Sequence, residues 1–96
     1  MDAMDYYKAT PLMFASKLGH VPIVKALLDK GANINYQNKE KQTALHYAVL
    51  NDHLPVVEVL VESGPDRSLR DIWNRTPLEM ARGLRKKSIV DYLSSH

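Results

Sequence analysis

The sequence repeats itself with a period of 33 residues and no gap. Thr10-Pro11-Leu12-Met13-Phe14-Ala15 returns as Thr43-Ala44-Leu45-His46-Tyr47-Ala48 and again as Thr76-Pro77-Leu78-Glu79-Met80-Ala81. His20-Val21-Pro22-Ile23-Val24 returns as His53-Leu54-Pro55-Val56-Val57, and then as Lys86-Lys87-Ser88-Ile89-Val90. Leu27, Leu60 and Leu93 keep the register, as do Gly31 and Gly64. A fixed period of this length marks a chain built from one small supersecondary unit, stacked on copies of itself. One unit cannot bury its apolar face alone, so neighbouring units must bury it for each other.

Each unit reads as two short helices. Thr10 is a suitable N-cap, and Pro11 suits the first helical position, where its missing N–H is not needed. Leu12, Ala15 and Leu18 fall at helical spacing. The first helix is therefore expected to reach about Leu18, with Gly19-His20 as its break. Ile23, Val24, Leu27 and Leu28 mark one buried face of a second helix that starts near Val21-Pro22. Gly31 ends it, where the chain wants a positive φ. A polar stretch from Ala32 to Gln42 leads to the next unit, and no segment reads as a strand with a partner, so the fold class is all-α. The small residues Ala15, Ala48 and Ala81 let neighbouring first helices approach closely.

Composition removes several function classes. There is no cysteine, so disulfides, Fe–S clusters, thiolate zinc sites and cysteine nucleophiles are out. Thirteen basic and eleven acidic residues leave a net charge of +2, too balanced to argue for nucleic acid. No apolar run is long enough for a transmembrane helix. The acidic start, Met1-Asp2-Ala3-Met4-Asp5, lacks the basic opening of a signal peptide. The expectation is a soluble, cytoplasmic, monomeric protein that binds neither nucleic acid nor membrane.

These residues resemble the ankyrin repeat: T-P-L-H-x-A, then G-H, then I-V-x-x-L-L-x-x-G-A. The resemblance covers Asp5 to about Leu93. It implies a solenoid of antiparallel helix pairs, with β-turn fingertips and a concave face made by those fingertips and the first helices. The units would be residues 5–37, 38–70 and a shortened C-terminal cap at 71–96, in one domain spanning 1–96. Where the family's fingertip reads D-x-x-G-x-T, this chain has Lys8, Lys41 and Asn74 at the glycine position. Asn tolerates a positive φ, but Lys adopts it at a cost of about 1 kcal/mol. The first two fingertips are thus expected to be distorted or loose. The third unit lacks Gly-His and has Lys87 and Ser94 at apolar positions, as suits a cap. Entry at Asp5, directly before a full unit, fits a piece of a longer protein. Gln42–Ala48 and Leu69-Arg70-Asp71 are also similar to the ankyrin tail of acyl-CoA-binding-domain proteins.

Catalytic and metal chemistry find no support in the motifs. His20 and His53 are one repeat position, which in the family fixes the loop between helices. His46, at the TPLH position, is expected to hydrogen-bond between loops. No His-x-x-x-His pair, G-x-S-x-G, phosphate loop or H-E-x-x-H occurs. No cofactor is implied, and the chain reads as not an enzyme. Arg82, Arg85, Lys86 and Lys87 form a basic cluster, either a solvated surface or a contact for an acidic partner or a phosphate-bearing ligand.

The function implied by the resemblance is non-catalytic protein binding through the concave face and fingertips. Tyr6, Tyr7, Ile72 and Trp73 occupy fingertip positions, where aromatics suit binding hot spots. Tyr6 and Tyr7 could equally cover an N-terminal edge, and Trp73 could pack against the loop before it. Lys39 and Glu40 give the central fingertip a charge pair. Leu50 and Asn51 stand on the central first helix, and Arg75 at the third fingertip. A second reading makes the chain a regulatory or positioning segment of a larger enzyme or of an acyl-CoA or lipid carrier. A third makes it purely structural.

Overall fold

A computed structural model describes residues 10–96. Tyr6, Tyr7 and Lys8, and with them the first fingertip, lie outside the described residues. Among those described there are six α-helices and no strand. They are α1 (Pro11–Leu18), α2 (Val21–Asp29), α3 (Ala44–Leu50), α4 (Leu54–Glu62), α5 (Pro77–Gly83) and α6 (Lys87–Ser95).

The starts of the first helices follow from their threonines. Thr10, Thr43 and Thr76 are extended N-caps, whose hydroxyls accept from the backbone N–H groups of Met13, His46 and Glu79. In α3 and α5 the third helical residue reciprocates, His46 or Glu79 accepting from the cap's own N–H. Two otherwise unpaired donors are satisfied at each of these ends. Helices of seven to nine residues are too short to persist alone in water. Packing supplies what local propensity lacks.

That packing forms two layers. α3 lies against α1 on one side and α5 on the other, while α4 packs against α2 and α6. The core runs unbroken through the stack: Leu12 and Ala15, then Leu45 and Ala48, then Met80 and Ala81, with Val57, Leu60 and Ile89 from the second layer. Full burial of a side chain such as Leu60 contributes about 1.5–3 kcal/mol. The alanine stripe is buried throughout, as its spacing role requires.

Two expectations need correction. Ile23 is 49% exposed, whereas its equivalents Val56 and Ile89 are fully buried. The side of the unit that carries this position packs on the preceding unit, and among the described residues none precedes α2. The central fingertip is not loose. Lys41 holds a φ of 58°, while its N–H donates to the Asn38 carbonyl at 2.8 Å and Asn38 N–H donates to the Gln42 carbonyl at 3.0 Å. Asn38 Oδ1 accepts from the N–H groups of Glu40 and Gln42, so side-chain bonding inside the turn stabilises the strained lysine. The missing glycine of the third unit also leaves the local geometry intact: Arg85 sits at φ 59°, where Gly19 sits at 77° and Asp52 at 60°.

Candidate functional site

The two described fingertips are the same turn built twice. Asp71 repeats the bonding of Asn38: its N–H donates to the Arg75 carbonyl, its carbonyl accepts from Asn74 N–H, and its Oδ1 accepts from the N–H groups of Trp73 and Arg75. The two turns are also tied to each other. Ile72 N–H donates to the Glu40 carbonyl at 3.0 Å, and Gln37 Nε2 reaches the carbonyls of Lys41 and Arg70.

Asp71 does more than shape its turn. Its Oδ2 takes two bonds from the Arg75 guanidinium, at 3.1 Å from Nε and 2.9 Å from Nη2. Burial acts to raise the Asp71 carboxyl, but the hydrogen bonds and positive charge of Arg75 outweigh it and hold the group below the ordinary carboxylate range. Arg75 is thereby fixed with its guanidinium carbon 5.3 Å from the centre of the Trp73 ring, within cation–π range.

His46 anchors this turn to the helix layer. It is fully buried. Its Nε2 donates to the Arg75 carbonyl at 2.8 Å, so Nδ1 is the acceptor that takes the Thr43 N–H at 3.2 Å. Burial pushes the imidazole below its ordinary pKa, against the opposing pull of the Arg75 carbonyl and the Asp71 charge. The ring is a neutral structural tie and has no open side for substrate. His53 has a similar job between units: its Nε2 donates to the Lys17 carbonyl at 2.9 Å, bracing the turn that ends α1.

Between α1, α3 and the two turns lies a cleft of about 460 Å³. Its lining follows the repeat. Phe14 pairs with Tyr47, Lys17 with Leu50, Glu40 with Trp73 and Gln42 with Arg75, each one period apart, and Met13 and Asn51 complete it. Leu50 and Trp73 are 41% and 55% exposed and Phe14 37%, an unusual grouping of large apolar side chains around one depression. Asn51 is held in place by its Nδ2 donating to the Tyr47 carbonyl at 2.9 Å.

Of the residues singled out in the sequence, the cleft brings together Glu40, Leu50, Asn51, Trp73 and Arg75. Lys39 and Ile72 are exposed on the turns but do not line it. Met13, Phe14, Lys17, Gln42 and Tyr47 also line the cleft and were not singled out; Lys17 and Gln42 carry a signal, as the repeat equivalents of Leu50 and Arg75, whereas Met13, Phe14 and Tyr47 are equivalent to no singled-out position. Among the described residues no group of His, Asp or Glu could hold a metal ion, and no helix is long and apolar enough to cross a membrane.

Comparison with known proteins agrees with this architecture. Residues 1–71 match the family described as ankyrin repeats (3 copies). The chain is 36% identical over 94 residues to the serine/threonine-protein kinase VIK of Arabidopsis thaliana, covering 98% of this chain and 14% of that protein. It is 46% identical over 43 residues to ankyrin repeat, SAM and basic leucine zipper domain-containing protein 1 of Carollia perspicillata, and 44% identical over 43 residues to its namesake in Microcebus murinus. These two matches cover 45% of this chain and 9% of either relative, so the chain spans only a small part of the curated relatives it matches. With the 33-residue period, the capped helix pairs and the paired turns, these matches show that the chain belongs to the ankyrin-repeat family.

Proposed function

We propose that this chain is a non-catalytic protein-binding module that engages its partner in the cleft between the first helices and the fingertips. An ankyrin-repeat domain is a protein-interaction module. The observation that carries the choice of face is the exposure of Leu50 and Trp73 across one depression between the first helices and the hydrogen-bonded turns. Trp and Arg are enriched among binding hot spots, and Trp73 and Arg75 stand together on one wall. The Asp71–Arg75–Trp73 arrangement fixes one wall before any partner arrives, so binding needs little change of shape.

Parallel affinity capture tests this. Wild-type chain and the variants Trp73→Ala and Leu50→Arg, each verified as folded by circular dichroism, are used as baits on one lysate. Proteins retained by wild type and lost from both variants support the cleft. Equal retention on all three baits overturns it.

One observation favours a second reading, in which the module positions or regulates a larger enzyme. The match to the kinase VIK runs through nearly the whole of this chain. Sequencing the full transcript decides whether a catalytic domain accompanies these repeats. If one does, comparing its activity with and without residues 1–96 measures the regulatory effect.

A further inference from the structure

Among the described residues the charges are divided between the two layers. The second helices α2, α4 and α6 carry Asp29, Glu58, Glu62 and Asp91 against Lys25 and Lys87. Glu62 and Glu58 act together on Tyr92, raising its hydroxyl pKa behind the larger effect of burial. The layer of first helices and fingertips has the opposite balance. There Glu79 is paired with Arg70 and Asp71 with Arg75. That leaves Lys17, Lys41, Arg82 and Arg85 with no ion pair among the described residues, against Glu40 and Asp52. Lys17 stands on the cleft wall itself. Arg75 spends Nε and Nη2 on Asp71, while its Nη1 makes no hydrogen bond among the described residues.

We infer that the cleft takes an acidic peptide segment bearing a large apolar side chain. The proposal rests on reading the cleft as a protein-binding surface and adds the chemistry of the occupant. The apolar side chain enters between Leu50 and Trp73. Flanking carboxylates face Lys17 on the helix side and the spare Nη1 of Arg75 on the turn side. A guanidinium already oriented by a buried carboxylate and an aromatic ring loses little freedom when it accepts a further anion. Charge on the rim steers and selects, while the apolar anchor supplies affinity. A polyanion without an apolar side chain would leave Leu50 and Trp73 in water. Peptide is thus favoured over nucleic acid or an anionic bilayer.

Short random peptides displayed on phage are selected on the immobilised chain, residues 1–96. The leading sequences are then synthesised with a fluorescent label for titration by anisotropy. The expected winners place Asp or Glu beside Leu, Ile, Phe, Met or Trp. Their affinity should fall about tenfold or more with Trp73→Ala. It should fall several-fold with Lys17→Glu, and it should weaken as ionic strength rises. Neutral or basic winners that still depend on Trp73 would overturn the acidic assignment and leave the cleft as a binding surface. Winners indifferent to Trp73→Ala and Leu50→Arg, or no enrichment at all, would overturn both. Displacement of the bound peptide by a single-stranded RNA oligonucleotide or by anionic vesicles would overturn the choice of occupant.

Discussion

His46 Nε2 donates to the carbonyl of Arg75, 29 residues further along the chain, at 2.8 Å. The bond joins the start of α3 to the turn that carries Trp73, and the Thr43 N–H on the other side of the ring needs Nδ1 as its acceptor. Protonation of Nδ1 would turn the Thr43 N–H from a partner into a clash of donors.

The sign of the resulting pH dependence follows. The folded-state pKa of His46 lies below the ordinary value of 6.5. The unfolded chain therefore takes up this proton first as pH falls. The stabilising contribution is complete above about pH 6.5 and is lost progressively as pH drops from there toward the lowered folded value. Urea midpoints of wild type should fall between neutral and mildly acidic pH. His46→Gln, which cannot titrate, should be less stable at neutral pH and show a shallower acid slope. Equal slopes would mean that His46 is not the group responsible.

Positive φ at non-glycine positions gives a second prediction, with opposite signs at equivalent sites. Gly19, Asp52 and Arg85 share one place in the repeat, at φ 77°, 60° and 59°. Arg85→Gly should relieve backbone strain and stabilise by up to about 1 kcal/mol, less the entropy that glycine adds to the unfolded chain. Lys41→Gly, at φ 58°, should behave alike. Gly19→Ala should destabilise, because it adds strain and its Cβ would lie 2.8 Å from Nδ1 of the His53 ring. Chemical denaturation ranks the three variants. A stable Gly19→Ala would mean that the His53 ring moves freely away from the Lys17 carbonyl.

Ser16 is fully buried in α1, and its hydroxyl has no hydrogen-bond partner among the described residues. Its repeat equivalent is Val49, also fully buried. An unsatisfied hydroxyl in an apolar setting costs on the order of 1–3 kcal/mol. Ser16→Ala removes that cost and also raises helix propensity. The expected result is a gain of about 1 kcal/mol, read as a higher urea midpoint with an unchanged slope. A loss of stability would reveal a hydrogen bond to Ser16 Oγ that the described residues do not supply.

The helices, their caps and the all-α class were legible because they depend on local chemistry repeated in register: Thr at the cap, Pro inside the first turn, apolar residues at helical spacing. Ile23 was not legible, because its burial depends on a neighbouring unit and not on its own helix. The central fingertip was misjudged for a related reason. The cost of a left-handed Lys41 is local, whereas what offsets it is a set of bonds to Asn38 Oδ1 that only the closed turn reveals. In the cleft, exposed residues on turns announced themselves by type, as Trp73 and Arg75 did. Phe14 and Lys17 look like ordinary helix residues, and only Lys17 is marked, by its position one period before Leu50.

Trp73 offers the sharpest separation between a binding residue and a packing residue. It is 55% exposed, and its backbone N–H is held by Asp71 Oδ1 at 3.0 Å. The turn's geometry thus does not depend on the indole, whose contact with a charged group is the Arg75 guanidinium at 5.3 Å. Trp73→Ala opens no core cavity, so it should change folding stability by less than about 1 kcal/mol. Truncating a buried aromatic would cost about 3–5 kcal/mol. A partner held in the cleft should lose roughly 2 kcal/mol or more of binding free energy on the same substitution. Thermal melting of the variant needs no partner and comes first. A near-wild-type melt followed by a large loss of peptide affinity places Trp73 on the binding surface. A melt lowered as far as a core truncation would mean that the indole supports the third turn, and the cleft would then rest on Leu50 and Phe14 alone.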